Sequence, residues 1–325
     1  MLARLRARPG RIMNMTQPLG STDLSISALC LGGNVFGWTA DEPTSFDVLD
    51  AYVAAGGNFI DTADTYSSWQ NGSEGGESET VIGRWLQRRG KRDDVVIATK
   101  VAKLPEHRGL SAANIKAQCE SSLRRLQTDY IDLYYAHEED PNVPIEESLG
   151  AFDELVREGK VRVLGASNFS TESLVAALDV SAANDLARFD VIQPHYNLLF
   201  REQFEGAMRD VCEAANIACV PYFGLARGFL TGKYREGVTV ESARASGTTM
   251  YQNERGWRTL AAMDDVAAAH STTLAAVALA WVAQQPGVAA PIASARTREQ
   301  LSEILPMLSL ALSADEIATL TAAAS

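Results

Sequence analysis

Eight short apolar or β-branched runs recur along this chain, and seven of them are followed by a longer stretch of helical periodicity. The runs are 28–32 (ALCLG), 58–62 (NFIDT), 95–99 (VVIAT), 131–137 (IDLYYAH), 161–167 (VRVLGAS), 190–194 (DVIQP), 217–222 (IACVPY) and 288–293 (VAAPIA). Helical patterns cover 43–55, 78–89, 111–126, 145–158, 170–180, 202–215 and 257–270. A helix between two strands returns the chain to the same edge of the sheet, so the strands run parallel. A parallel sheet needs cover on both faces, and eight βα units suit a closed barrel better than an open sheet. The chain is expected to be α/β, a (β/α)8 barrel of the TIM type. Ser111 precedes one helical pattern, and Ser170, with Glu172 and Ser173, opens another; both are expected to cap free N–H groups.

Before the first run, QPLGSTDLSISA alternates around a Gly-Ser-Thr-Asp turn and predicts an N-terminal β-hairpin at the bottom of the barrel. Residues 229–256 are long for a plain connection and are expected to form a functional loop. Residues 1–15 are arginine-rich without an apolar run, and are expected to be a disordered tail; Met13 and Met15 are alternative starts, and a transit peptide is the other reading. Residues 16–325 then form a single domain, since no repeat or linker divides them. The 46% hydrophobic residues suffice for a large core. A formal charge of −12 argues against nucleic acid, no stretch suits a membrane, and four cysteines without paired spacing fit the cytoplasm.

In such a barrel chemistry belongs at the C-terminal ends of the strands. The second run ends in Asp61, with Tyr66 five residues on; the third ends in Lys100 and the fourth in His137. Singly, each has an ordinary structural reading: a loop cap, a wall aromatic, a solvated ammonium, a hydrogen-bonded imidazole. Together they lie on one side of one cavity and complement one another. Asp61 can hold Lys100 charged, and the ammonium is expected to lower the phenol pKa from its usual value of about 10. Tyr66 can then protonate an alkoxide while His137 binds the oxygen.

The segments DTADTY, IATK and YAH, in that order, resemble the Asp, Tyr, Lys and His tetrad of the aldo-keto reductases. GASNFS (165–170), VIQPHYNLL (191–199), PYFGLARGFLTGKY (221–234) and PIASARTREQL (291–301) resemble further segments of that family in the expected positions. The resemblance implies reduction of a carbonyl by NADP(H), with NAD(H) the lesser candidate. It implies that Ser167, Asn168 and Gln193 meet the nicotinamide amide and that Tyr222 stacks on its ring. Leu225, Arg227, Gly228 and Lys233 would lie near the pyrophosphate, and Ser294, Arg296, Gln300 and Glu303 around the adenosine end. Arg296 favours a 2′-phosphate and therefore NADPH. Two positions depart from the family: Ile304 stands where an asparagine is frequent, and Arg227 where small residues are, so that Arg227 either grips the pyrophosphate or faces solvent.

Asn34, Phe36, Trp38 and Trp69 are the candidate substrate contacts, with the 103–109 loop, and their aromatic character suits aryl, cyclic or sugar-derived carbonyls. No metal is expected: the run His137-Glu138-Glu139-Asp140 has no matching histidine cluster, as His107, His195 and His270 are scattered, and His195 is read as a packing residue. The family also resembles the β subunits of potassium channels, so an NADP(H)-sensing subunit without turnover is the alternative. The expected partner is a small carbonyl compound, with the chain a monomer or homo-oligomer.

Overall fold

The computed structural model describes residues 16–70, 72–238, 240 and 245–325. The expected tail and alternative starts, and part of the 229–256 loop, fall outside these residues. Two strands, β1 (Gln17–Pro18) and β2 (Ser25–Ile26), pair antiparallel as the expected hairpin. Leu19, Leu24 and Ile26 of this hairpin join one apolar cluster with Cys30, Phe59, Val96, Leu133 and Val163, which lie near the starts of their strands. The hairpin therefore plugs the lower mouth of the barrel.

The barrel strands are β3 (Cys30–Gly32), β4 (Phe59–Asp61), β5 (Val96–Val101), β6 (Ile131–Ala136), β7 (Val161–Ser167), β8 (Phe189–Gln193), β9 (Ala218–Cys219) and β10 (Ile292–Ala293). All are parallel, in the order β10-β3-β4-β5-β6-β7-β8-β9. The ring closes between the two edges by a bridge from Cys219 to Val288 and by Ile292 N–H donating to the Pro221 carbonyl at 2.9 Å. β9 and β10 are shorter than the runs 217–222 and 288–293 predict. Pro221 and Pro291 sit in those runs without an N–H to give, so the ladder breaks there.

The covering helices are α1 (Glu42–Ala54), α2 (Glu77–Arg89), α3 (Ala112–Leu126), α4 (Ile145–Arg157), α5 (Thr171–Asn184), α6 (Ala207–Ala215), α7 (Glu254–Ala269), α8 (Leu274–Ala283), α9 (Arg298–Ile304) and α10 (Ala314–Ala323). Ser111 and Ser170 cap α3 and α5 as expected, accepting from Asn114 and Ser173 N–H. The last three helices were not visible as periodic patterns. α8, LAAVALAWVA, is apolar all round because Ala275 through Val282 are buried, so it has no polar face to reveal it. No single described helix is long and apolar enough to cross a membrane; α7 and α8 would do so only as a pair, and they are bent by 97°.

Side chains alternate in and out along each strand, and this alternation delivers the site. Counting by two from the apolar plug, Phe59 leads to Asp61, Val96 and Ala98 to Lys100, Leu133 and Tyr135 to His137, and Val191 to Gln193. The Tyr135 ring fills the barrel axis at Gly165, where any Cβ would come within 2.4 Å of it.

Candidate active site

Above the plug, Lys100 Nζ is fully buried and makes three contacts: an Asp61 carboxylate oxygen at 2.7 Å, the Thr62 carbonyl at 2.7 Å and the Tyr66 hydroxyl at 3.0 Å. Tyr66 donates to Asp61 Oδ2 at 3.0 Å, and Gln193 Nε2 donates to Asp61 Oδ1 at 2.9 Å. Asp61 is thus the acceptor for an ammonium, a phenol and an amide. Tyr66 is carried into place by a turn after β4 in which its N–H bonds the Ala63 carbonyl and its carbonyl accepts from Gly76.

The electrostatics differ from the expectation for the phenol. Burial, and after it the Asp61 carboxylate, hold the Tyr66 pKa well above the ordinary tyrosine value rather than below it. Burial also lowers the Lys100 pKa, with Asp61 opposing it. His137, edge-on to the Tyr66 ring at 6.4 Å, is held well below the usual imidazole range by burial and then by Lys100 and Lys103. Its Nδ1 is buried without a partner, so the ring is neutral in a site that holds charged neighbours.

The four tetrad positions meet at the foot of a cavity of about 540 Å³; Asp61, Tyr66 and His137 line it, and Lys100 lies behind them. Among the cofactor candidates Ser167, Asn168, Gln193, Tyr222, Leu225, Arg227, Gly228, Lys233, Ser294, Arg296, Gln300 and Glu303 all line the same cavity. Asn168 adopts φ 56°, a left-handed conformation asparagine tolerates, and ties the His137 carbonyl and the Ser167 hydroxyl to the Tyr222 hydroxyl at 2.8, 3.1 and 2.7 Å. Behind Tyr222, the His195 ring stacks at 5.4 Å and is itself backed by Phe200 at 4.0 Å. His195 is a packing residue, as expected, and keeps one Tyr222 face against protein.

Arg227, Lys233 and Arg296 line the far part of the cavity, and no described carboxylate pairs with any of them. Ala226, Arg227 and Gly228 take φ 47°, 59° and 99° in succession, a left-handed turn in which Ala226 N–H donates to the Phe223 carbonyl at 2.7 Å and Gly228 N–H to the Leu225 carbonyl at 2.8 Å. Arg227 thus faces the cavity, its guanidinium 4.3 Å over the Phe223 ring. Ile304 is buried and lines the cavity, giving that end an apolar surface.

The substrate candidates divide. Trp69 lines the cavity mouth half-exposed, and Trp38 backs it edge-on at 5.3 Å without lining the cavity itself. Phe36 is a correction: it is fully buried in the outer core between strands and helices and does not reach the cavity. Asn34 lines the cavity and accepts a hydrogen bond from the Ser294 hydroxyl at 2.5 Å. Lys103, the first residue of the 103–109 loop expected to meet substrate, lines the cavity; sequence reasoning missed Phe223, Thr231 and Ala275 as lining residues. Phe223 lies next to Tyr222, a signal that was there to use; Ala275 sits on the helix that periodicity did not show. Among the described residues no cluster of three or more metal-ligating side chains occurs.

Residues 28–325 match the sequence model of the Aldo/keto reductase family. The chain is 33% identical over 329 residues to Protein tas of Escherichia coli (strain K12), covering 93% of this chain and 95% of that one. It is 35% identical over 290 residues to Aldo-keto reductase YhdN of Bacillus subtilis, covering 86% and 83%. It is 32% identical over 315 residues to the norsolorinic acid reductase of Aspergillus flavus, covering 91% and 77%. With a barrel of the expected order and a match over nearly its whole length, the chain belongs to the aldo/keto reductase family of oxidoreductases.

Proposed function

We propose that the protein reduces an aldehyde or ketone to an alcohol with a reduced nicotinamide dinucleotide, NADPH in preference to NADH, and that Tyr66 gives the proton. The observation that carries this reading is the triangle of Lys100, Asp61 and Tyr66, closed by contacts of 2.7 to 3.0 Å at the foot of the cavity. The dinucleotide, when bound, would supply the hydride; the remaining work falls to the chain's own side chains.

A phenol whose pKa burial has raised stays protonated at neutral pH, which is the form a proton donor needs. Lys100 then favours the phenolate at the moment the proton leaves, because the ammonium is already in hydrogen-bond contact with the oxygen. Asp61 holds that ammonium in place. A neutral His137 can donate to the carbonyl oxygen without competing for the proton. The same geometry serves the reverse oxidation, with Tyr66 accepting.

The residues lining the cavity fit a dinucleotide. Arg227 and Lys233, without carboxylate partners, suit a pyrophosphate, and Arg296 a 2′-phosphate. Ser167 and Asn168 suit the amide of the nicotinamide, and the free face of Tyr222 its ring. Trp69 at the mouth suits a flat or cyclic carbonyl compound.

The test is Tyr66→Phe. Turnover of aldehydes should fall by about 10²- to 10⁴-fold while the Kd for NADPH, from tryptophan quenching, stays within about twofold. Unchanged turnover would remove Tyr66 from the reaction. Tight NADPH binding by the native chain without turnover of any carbonyl would favour a sensing subunit instead.

A further inference from the structure

Among the described residues, four cations line the cavity. Three of them, Arg227, Lys233 and Arg296, lie on the β9 and β10 side and have phosphates to meet in the reading above. The fourth, Lys103, lies on the loop after β5, and no step of the reduction uses it. Its neighbours are those of the reacting centre: its charge is one of the causes that keep His137 neutral, after burial and Lys100. Tyr66 and Trp69, 6.3 Å apart between ring centres, line the same part of the cavity.

The backbone is bent to put Lys103 there. Ala102 is fully buried with φ 111°, a conformation that side-chain-bearing residues rarely adopt, and its carbonyl is fixed by Gly109 N–H at 3.0 Å. Such strain persists where the surroundings require it, and sites of function are where it collects. The Lys103 carbonyl is held in turn by the Thr65 hydroxyl at 3.3 Å. The ammonium's ion-pair partner among the described residues is Glu138, at 3.3 Å with both side chains about a third exposed. A pair so open to water contributes only ~0.2 to 1 kcal/mol. A carboxylate brought in on a ring stacked at Trp69 can therefore take the place of Glu138.

We propose that Lys103 is a specificity determinant, selecting carbonyl compounds that carry both an aromatic ring and an anionic group, and that Glu138 holds its ammonium until such a substrate arrives. Trp69 and Tyr66 receive the ring, Lys103 the anion, and the carbonyl is left facing Tyr66 and His137. The proposal rests on the reductase reading, and names the substrate class of the same site.

The test compares para-carboxybenzaldehyde with its methyl ester, which has the same shape without the charge. The native enzyme should prefer the acid in kcat/KM. Lys103→Met should lower the acid-to-ester ratio by about tenfold, chiefly through KM, since a charge-assisted bond is lost. Glu138→Gln should raise the ratio by about threefold, as the competing carboxylate is gone. A ratio unchanged in both variants, with the ester still reduced, overturns the proposal and leaves the reductase reading intact. Binding is read separately, by quenching of tryptophan fluorescence with para-(hydroxymethyl)benzoate and its methyl ester. Lys103-dependent preference for the acid there, without turnover of either aldehyde, supports the anion site and sinks the reductase reading; no preference in binding or kinetics sinks the anion site.

Discussion

At the lower rim of the barrel, where the strands begin, Asp132 is almost wholly buried and holds Arg92 at 2.6 Å and Arg162 at 2.9 Å; Arg162 reaches on to Asp23 of the hairpin at 2.8 Å. At the upper rim, where the same strands end, Arg227, Lys233 and Arg296 face a cavity and form no ion pair with a described carboxylate. There His137 Nδ1 is buried unpartnered, and neither oxygen of the nearby Asp64 finds a hydrogen bond of normal geometry. Charge at the lower rim is neutralised within the chain and contributes to holding the hairpin plug. At the upper rim Lys100 is paired with Asp61, but Arg227, Lys233 and Arg296 are left without an ion pair, and burying the polar atoms of His137 and Asp64 unpartnered costs stability.

The sharpest break of this contrast is Lys100→Met. It removes the ammonium from a fully buried pair with Asp61, and should cost both ~3 to 5 kcal/mol of stability and at least about 10²-fold in turnover per folded molecule. At the lower rim, Asp132→Ala should cost about 3 kcal/mol in denaturant melts and leave turnover per folded molecule unchanged. Equal loss of activity in the two variants would erase the distinction between the rims.

A third variant separates the rims by pH. Burial, then Glu79, pushes the Asp64 carboxyl up to about 8, with Arg125 and Lys100 opposing. The unfolded chain ionises this group near pH 4 while the folded chain keeps it protonated, so its contribution is full at acid pH and is lost as pH rises towards 8. Asp64→Asn should flatten that fall, which amounts to on the order of 1 kcal/mol per pH unit, when melts are compared at pH 5 and about pH 7.5. A slope unchanged by the substitution would mean that Asp64 is ionised in the fold. The smallest effect is expected from Arg296→Ala, which should lower the preference for NADPH over NADH by about tenfold in Kd and leave the melting temperature of the free protein unaltered.

How legible these features were depends on whether a signal repeats. Strand ends followed by Asp61, Lys100 and His137 stood out because an apolar run stops at a charged or titratable residue three times in succession, and the inward parity of the strands turns that order into one site. Phe36 misled because an aromatic in a loop reads the same whether it faces solvent, ligand or core; only packing decides, and it packs against the core. α8 was hidden by being buried on every side, and the 103–109 loop was named only as a whole, because which of its side chains faces the cavity is set by backbone turns such as that at Ala102. The direction of the Tyr66 pKa was misjudged because sequence names the lysine but not the depth of burial, and burial outweighs it.

The seam of the barrel lies between β9 and β10, where two prolines thin the ladder to a few bonds. Tyr222 and Leu225 follow one edge of that seam and Ser294 and Arg296 the other, and all four line the same cavity. A ligand filling it would touch both lips of the joint, acting as a clasp on the hoop, so that its binding free energy would add to the stability of the closed ring.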